Sequence, residues 1–507
     1  MDAGNKRVTL AELARLLEDP RRGGKKVVHC HGVFDLLHVG HIKHLQAAKS
    51  MGDILVVTLT QDEHVNKGPH RPAFTASLRA EALASLACVD YVAVNEWPTA
   101  VETIRLLKPD LFVKGAVEEG GKRDHSDAFS LEVQAVQEVG GRLVLTEEDT
   151  YSSSHLINRY VDVLSPDATA FLSSFRERHS IDELTDYLAS FRDARVLVIG
   201  EAILDEYVFC SAMAKANKEP HLATRFLREE TYAGGSLAIA NHLASFCDAV
   251  GLLSFLGEGD AKESTALSRL NGAVSPHFLR RRGAPTIVKR RFIESYFMTK
   301  LFEMVVMGDD PLGSAEEKAL CEAIEQRLPE YDAVLAADYG HGLLTPDVVS
   351  LLTEKAPFLS VNVQTNPANY GFNVISKYPW ARFVSIQENE LRLEHRDPTG
   401  DIKGMMDASA ERMSAKQFLV TRGSNGCVVR DRDGFNEAPA FSVKVVDRIG
   451  AGDAVLALTT LCALRGVPSD VMAFMASVVG AEACAIMGNS RSVDAEGLVR
   501  HLVSLLK

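Results

Sequence analysis

Residues 29–41 read HCHGVFDLLHVGH, and they dictate how the fold must open. The apolar Val27 and Val28 begin a strand, Gly32 turns the chain, and a helical pattern then runs through Ile42, Leu45 and Ala48. A strand passing through a glycine turn straight into a helix is the first half of a βαβ unit. His38 and His41, three apart, share one face at the start of that helix. A helix N-terminus presents free N–H groups and positive dipole charge, and Gly40 leaves room for a flat base or a phosphate against the backbone. The pattern suits a nucleoside triphosphate attacked at its α-phosphate, with two imidazole donors stabilising the charge that develops.

The same alternation continues along the N-terminal part. Strand candidates are 26–30, 54–59, 90–94, 111–114 and 142–145, and helical patterns lie near 40–51, 75–88, 98–107 and 126–139. Such alternation implies a parallel, doubly wound sheet with ligands at the carboxyl ends of its strands. Residues 163–193 are polar and helical in pattern and read as a linker followed by a capping helix. RVLVIG at 195–200 then opens a second α/β unit that runs to the C-terminus.

A second motif, DRIGAGD at 447–453, leads into the apolar helical stretch Ala454 to Ala463. The turn Gly450-Ala451-Gly452 makes a cradle of backbone N–H groups for phosphate charge. Asp453 at its end is placed to take a proton from an attacking hydroxyl.

The chain has 507 residues, enough for two large domains or three smaller ones, and its 46% hydrophobic and 24% charged residues are those of a soluble globular protein. A net charge of −13 argues against general binding to nucleic acid or to anionic membranes. Eight cysteines without a CxxC pair indicate neither a disulfide framework nor a zinc site, and a reduced, cytoplasmic setting is expected. The N-terminal residues Leu10, Leu13, Leu16 and Leu17 are at helical spacing but lack the continuous apolar core of a signal peptide. The apolar stretch from Val471 to Met487 reads as a buried helix rather than a membrane span.

Gly32, Val33, Phe34 and Asp35, followed by HVGH, resemble the GxFD and HxGH signatures of the cytidylyltransferase-like nucleotidyltransferases, over roughly residues 25–162. That resemblance implies catalytic roles for His38 and His41, with Lys114 in VKG as a hydrogen-bond donor to phosphate at a strand end. It implies nucleotide contacts from Lys67, from Arg79 and from Ser152, Ser153 and Ser154, although a serine run before an apolar helix is also simply a good N-cap. VKGAVEEG departs from the heptose adenylyltransferases at Val117.

DRIGAGD resembles the second signature of the ribokinase (PfkB-type) sugar kinases, with Arg448 where threonine is usual, and the resemblance covers roughly 195–507. It implies that Asp453 is the catalytic base and that Gly450, Ala451 and Gly452 form the anion hole. YAGGSLAIANHLA (232–244) is similar to the first, glycine-rich signature, implying sugar contacts from Gly234, Gly235 and Asn241 together with Asp205 of GEAILDEY. TRGSNG (421–426) implies ATP contacts from Thr421, Gly423 and Gly426, and Glu390 would tune the Mg²⁺–phosphate environment. Segments 205–235 and 278–305 would build a small β lid. The departures gather on the sugar side: Ala238 in place of asparagine, His341 in place of the lysine of heptose kinases, NVQTNPANYGFN at 362–373, and Gln387. Two basic clusters, Arg280 to Arg282 and Lys289 to Arg291, are either solvated hairpin charge or a grip on an acceptor that already carries a phosphate.

The expected organisation is therefore a nucleotidyltransferase domain at 1–162, a linker and capping helix at 163–193, and a sugar kinase domain at 194–507. The pairing resembles the bifunctional heptose 7-phosphate kinase/heptose 1-phosphate adenylyltransferases, with the domain order reversed. It implies ATP-dependent phosphorylation of a sugar or sugar phosphate. Nucleotidyl transfer from ATP or CTP would follow, with Mg²⁺ carried by substrate phosphates and the enzyme a homodimer. A CDP-alcohol or CDP-polyol synthase, or a nucleotide-sensing protein with one inactive domain, are the alternatives.

Overall fold

The computed structural model describes residues 6–65, 72–115, 127–146, 164–215, 219, 221–259, 261–308, 310–442 and 445–506. It divides into two compact units, Met1–Val163 and Leu164–Leu506.

In the first unit the described strands are β1 (Val27–Gly32), β2 (Ile54–Thr60), β3 (Tyr91–Asn95), β4 (Leu111–Gly115) and β5 (Arg142–Thr146). They pair in parallel in the order β3-β2-β1-β4-β5. Every residue of β2 is buried, the signature of a strand covered on both faces and the reason its sequence is one apolar run. One face is closed by Leu45, Ala48, Ala80 and Leu83. The other is closed by Leu10, Leu13, Leu17 and Leu107. The helix Leu10–Leu16 is started by a reciprocal Thr9–Glu12 cap, and its Leu16 points to solvent. The strand order reverses between β1 and β4, so a ligand crevice lies beyond Gly32 and Gly115.

The second unit runs in chain order through β6 (Arg195–Gly200), β7 (Ala202–Lys215), β8 (Leu222–Gly235), β9 (Ala249–Gly257), β10 (Val274–Arg281), β11 (Ile287–Glu294), β12 (Thr299–Val306), β13 (Ala333–Asp338), β14 (Leu359–Val363), β15 (Phe383–Gln387), β16 (Gln417–Thr421), β17 (Cys427–Asp431) and β18 (Gly434–Ala438). The main sheet has the order β10-β9-β6-β13-β14-β15-β16-β17-β18, and β12-β11-β7-β8 form a separate lid sheet. The main sheet is parallel from β10 to β16 and antiparallel beyond.

Two features differ from the reading of the sequence. Residues 278–281 belong to the main sheet, because β10 pairs with β9 from Val274↔Val250 to Arg281↔Gly257, and the second half of the lid starts only at Ile287. The segment expected to link the domains forms two helices, Pro166–Arg178 and Ile181–Ala189, each capped by a serine. Their Leu172, Phe175, Leu184 and Leu188 are buried in the core of the second unit. Phe175 packs 4.5 Å from Phe474, on the buried helix Ser469–Cys484. Among the described residues no helix is long and apolar enough to cross a membrane.

Candidate active sites

In the second unit the chain turns at Gly450, with φ of +85°, into the helix Ala451–Arg465. A Cβ at Gly450 would lie 2.0 Å from Asn489 Oδ1, so only glycine fits. Gly452 faces open space, leaving the N–H cradle clear. Asp453, in the first helical turn, is buried, and its Oδ1 accepts from the Tyr339 hydroxyl at 2.9 Å and from Gln364 Nε2 at 3.3 Å. Burial pushes its carboxyl up to about 6; the Tyr339 bond works against the rise and the Asp205 charge adds to it. A carboxylate of this kind is ionised at neutral pH yet basic enough to accept a proton.

The loop after β13 is held by Glu201, a buried carboxylate that follows β6. It accepts from the backbone N–H groups of Tyr339 (3.1 Å), His341 (3.0 Å) and Leu343 (3.3 Å), and burial together with Asp338 lifts it to about 7. On the lid, Asp205 accepts from Arg291 at 2.6 Å, and Arg291 also meets Glu303 at 2.8 Å. Gly234 lies against Asp205, where a Cβ would be 2.7 Å from Oδ2. Lys289, which pairs in register with Asp205, sits 5.9 Å from the Tyr339 ring and has no carboxylate partner among the described residues. The His341 Nε2 is buried without a partner, and burial, Lys289 and Arg281 push this imidazole down to about 4, so it is neutral.

The strand-end residue Thr421 leads into a tight hairpin in which Arg422 N donates to Gly426 O at 2.8 Å. Gly423 and Gly426 both have positive φ, and a Cβ at Gly426 would collide with Ala438 O at 1.9 Å. Glu390 accepts from Gln387 N at 2.7 Å and Thr365 N at 3.1 Å, and burial raises it to about 7.

In the first unit Phe34 and Leu36 of the turn after β1 have φ of +50° and +48°. The turn is pinned by Asp35, buried, which accepts from Ala73 N at 2.9 Å and Phe74 N at 3.2 Å. His38 is the N-cap of the helix Val39–Ser50, and its Nδ1 accepts from Gly40 N at 3.1 Å. The opposite nitrogen, Nε2, is buried without a partner, and burial lowers the basicity of the ring. The His38 and His41 rings lie 4.0 Å apart between centroids, with Phe34 edge-on to His41 at 5.5 Å. Two imidazoles therefore stand together at the switch point of the sheet. Lys114, at the end of β4, is ion-paired with Glu132 and lies 5.3 Å from the Phe129 ring.

Residues 193–496 match the model of the pfkB family carbohydrate kinases. The chain belongs to that family. Residues 29–159 match the cytidylyltransferase-like model, so this pfkB chain carries a cytidylyltransferase-like domain ahead of its kinase domain. It is 41% identical over 160 residues to the bifunctional protein HldE of Syntrophotalea carbinolica, covering 31% of each chain. Against that of Nitrobacter hamburgensis it is 29% identical over 310 residues, covering 59% of this chain and 62% of the relative. The chain thus spans about a third of the length of the curated relatives it matches first. Phosphofructokinase-2 from Escherichia coli in complex with fructose-6-phosphate has the same fold: the TM-score is 0.51 at 15% identity over 62% of this chain and all of the other.

Within this pfkB chain the structure gathers Asp453, the glycine turn and Asp205, but several residues singled out in the sequence lie elsewhere or are spent. Asn241 turns its amide to Arg269 O and Asn271 N, both at 2.8 Å, and so closes a loop rather than facing a sugar. Arg79 is buried and donates to Phe74 O, Val33 O and Thr60 O and to Asp62, which leaves its guanidinium to bind the two strand-end loops together rather than a phosphate. Lys67, Val117 and Ser152–Ser154 lie outside the described residues. Of the six basic residues, Arg280, Arg290 and Arg291 are paired with Glu263, Glu206 and Asp205, and Arg281 is turned to the carbonyls of Asp310 and His341. Lys289, of the basic cluster Lys289 to Arg291, and Tyr339, Gln364 and Glu201, which no motif marks, join the site. For these last three the local signal is a carboxylate, Glu201, directly after the buried strand RVLVIG.

Proposed function

We propose that the chain is a bifunctional enzyme of nucleotide-sugar synthesis. Its second unit phosphorylates a sugar or sugar phosphate of the heptose 7-phosphate type with ATP. Its first unit transfers a nucleotidyl group from ATP or CTP to the resulting sugar 1-phosphate, releasing pyrophosphate. The observation that carries the reading is the buried, proton-accepting Asp453 at the mouth of an open glycine turn, opposite the lid residues Asp205 and Lys289.

In the kinase half, Asp453 takes the proton of the attacking sugar hydroxyl while the N–H groups of Gly450–Gly452 receive the transferred phosphoryl group. In the other half, the His38 and His41 nitrogens stabilise the α-phosphate as the sugar phosphate oxygen attacks it in line. Mg²⁺ would enter on the nucleotide phosphates. When bound, that ion offsets phosphate charge in both reactions. The unpaired Lys289 supports an acceptor that already carries a phosphate, held by charge rather than by many hydroxyl contacts, with the unpartnered His341 Nε2 as a neutral polar contact. A cytoplasmic homodimer is the expected form.

The test is a screen of sugars and sugar phosphates with ATP and with CTP, the products identified by mass spectrometry. A phosphorylated heptose consumed to a nucleoside diphosphate sugar supports the reading. Turnover of polyol phosphates with CTP alone would favour the CDP-polyol alternative, and absence of any pyrophosphate release would remove the nucleotidyltransferase assignment.

A further inference from the structure

Asp447 opens the DRIGAGD segment and is 3% exposed. Its carboxylate accepts from two backbone groups, Ile449 N at 3.1 Å in the turn itself and Gly488 N at 3.0 Å. Two further donors come from the lid: the Tyr207 hydroxyl of β7 at 2.8 Å and the Lys300 ammonium of β12. Lys300 also lies 5.9 Å from the Tyr207 ring. Around this point the lid residues Tyr207, Phe209, Tyr232 and Ile293 form an apolar cluster on which Ile449 and Met487 pack. The lid therefore holds the glycine turn through an ion pair, a hydroxyl and an apolar contact at once.

Lys300 is the cation of this group. Without it Asp447 would be a buried carboxylate served by neutral donors alone, a costly state relieved by uptake of a proton or by a shift of the turn towards water. The Lys300 side chain is 37% exposed, so its ammonium stands where solvent ions have access. We propose that Lys300 is a positioning residue for phosphoryl transfer, a tethered cation that the lid delivers to Asp447 to set the Ile449–Gly452 turn in its phosphate-receiving form. Seating of the lid and shaping of the anion hole are then one event. The inference rests on the kinase reading above.

The test uses the full chain with Lys300→Met and Lys300→Arg, assayed in potassium, ammonium and tetramethylammonium chlorides at equal ionic strength. Lys300→Met should lower the kinase kcat by about 10- to 100-fold, as expected for a displaced catalytic group, with little change in KM for ATP. Potassium or ammonium should restore most of the loss, tetramethylammonium none, and arginine should substitute well. A second readout needs no turnover: potassium should raise the unfolding temperature of Lys300→Met, by binding the native state, and leave that of the wild type unchanged. An unaltered kcat, a loss that no small cation repairs, or equal stabilisation of both proteins by potassium would overturn the proposal. Failure of the wild type to phosphorylate any sugar counts against the kinase reading instead, and the unfolding measurement still decides the role of Lys300.

Discussion

Asp453→Asn should abolish phosphoryl transfer and, at the same time, make the second unit more stable. The Tyr339 hydroxyl and Gln364 Nε2 both reach Oδ1, and an asparagine carbonyl accepts both bonds, so the change removes charge and little else. Burial lifts the carboxyl from its ordinary 3.8 to about 6. A rise of about two pH units at 1.36 kcal/mol each means that the ionised group costs the folded state about 3 kcal/mol. The sign follows from proton binding: the native state holds this proton more tightly than the unfolded chain does. The cost is therefore complete above about pH 6, shrinks as the pH falls, and is gone below the ordinary aspartate range. Asparagine carries no such cost. Urea unfolding of both proteins at pH 8 and at pH 4 measures it, because Glu201 and Glu390, raised in the same way, are common to both and cancel in the difference. The variant should be more stable at pH 8 by about 3 kcal/mol and nearly equal at pH 4, with kcat reduced by about 10²- to 10⁴-fold. A variant no more stable than the wild type at pH 8 would refute the buried-charge argument, and a near-normal kcat would refute the role of Asp453 as base.

Removal of the Tyr339 hydroxyl in Tyr339→Phe takes away a bond that holds Asp453 down, so the acid limb of the kinase pH–rate profile should move upward by about one to two pH units, the equivalent of a 1.5–3 kcal/mol charged hydrogen bond; an unmoved limb assigns that limb to another group. His38→Ala and His41→Ala should each remove about 3–4 kcal/mol of transition-state stabilisation from pyrophosphate release while the kinase rate is preserved, and parallel loss of both activities would contradict separate sites. Arg79→Met should destabilise the first unit by about 3 kcal/mol or more, because the carbonyls of Val33, Thr60 and Phe74 lose their donor; a purely kinetic defect with unchanged unfolding would restore Arg79 to the phosphates. Lys289→Met should raise KM for a phosphorylated acceptor at least about tenfold, the loss of one charge-assisted contact, and leave KM for ATP in place.

What could be read from the sequence, and what could not, follows from how far apart the partners lie. Strands such as Ile54–Thr60 announce themselves because a parallel strand covered on both faces must be apolar throughout. The glycine turn before Asp453 and the turn before His38 are local, so their residue order displays them. Tyr339 and Gln364 reach Asp453 across 114 and 89 residues of chain, and only the strand order brings them there. Arg79 shows a subtler failure. An arginine in the first turn of a helix looks the same in a sequence whether it faces a ligand or, as here, turns inward to bind two loops. Residues 278–281 read as lid because charged and alternating residues fit an exposed hairpin equally well; their pairing with β9 is a matter of topology.

The left-handed backbone at Phe34 and Leu36 has a thermal consequence. Each such residue stores of order 1–3 kcal/mol that the surroundings must hold in place, here the anchoring of Asp35 and the clamp of Arg79. That stored energy is released when the turn lets go, whereas the sheet beneath it gains nothing by melting. On heating, the histidine-bearing turn should give way while the five described strands remain assembled, so any nucleotidyl transfer should fade at temperatures where the unit is still folded and return on cooling.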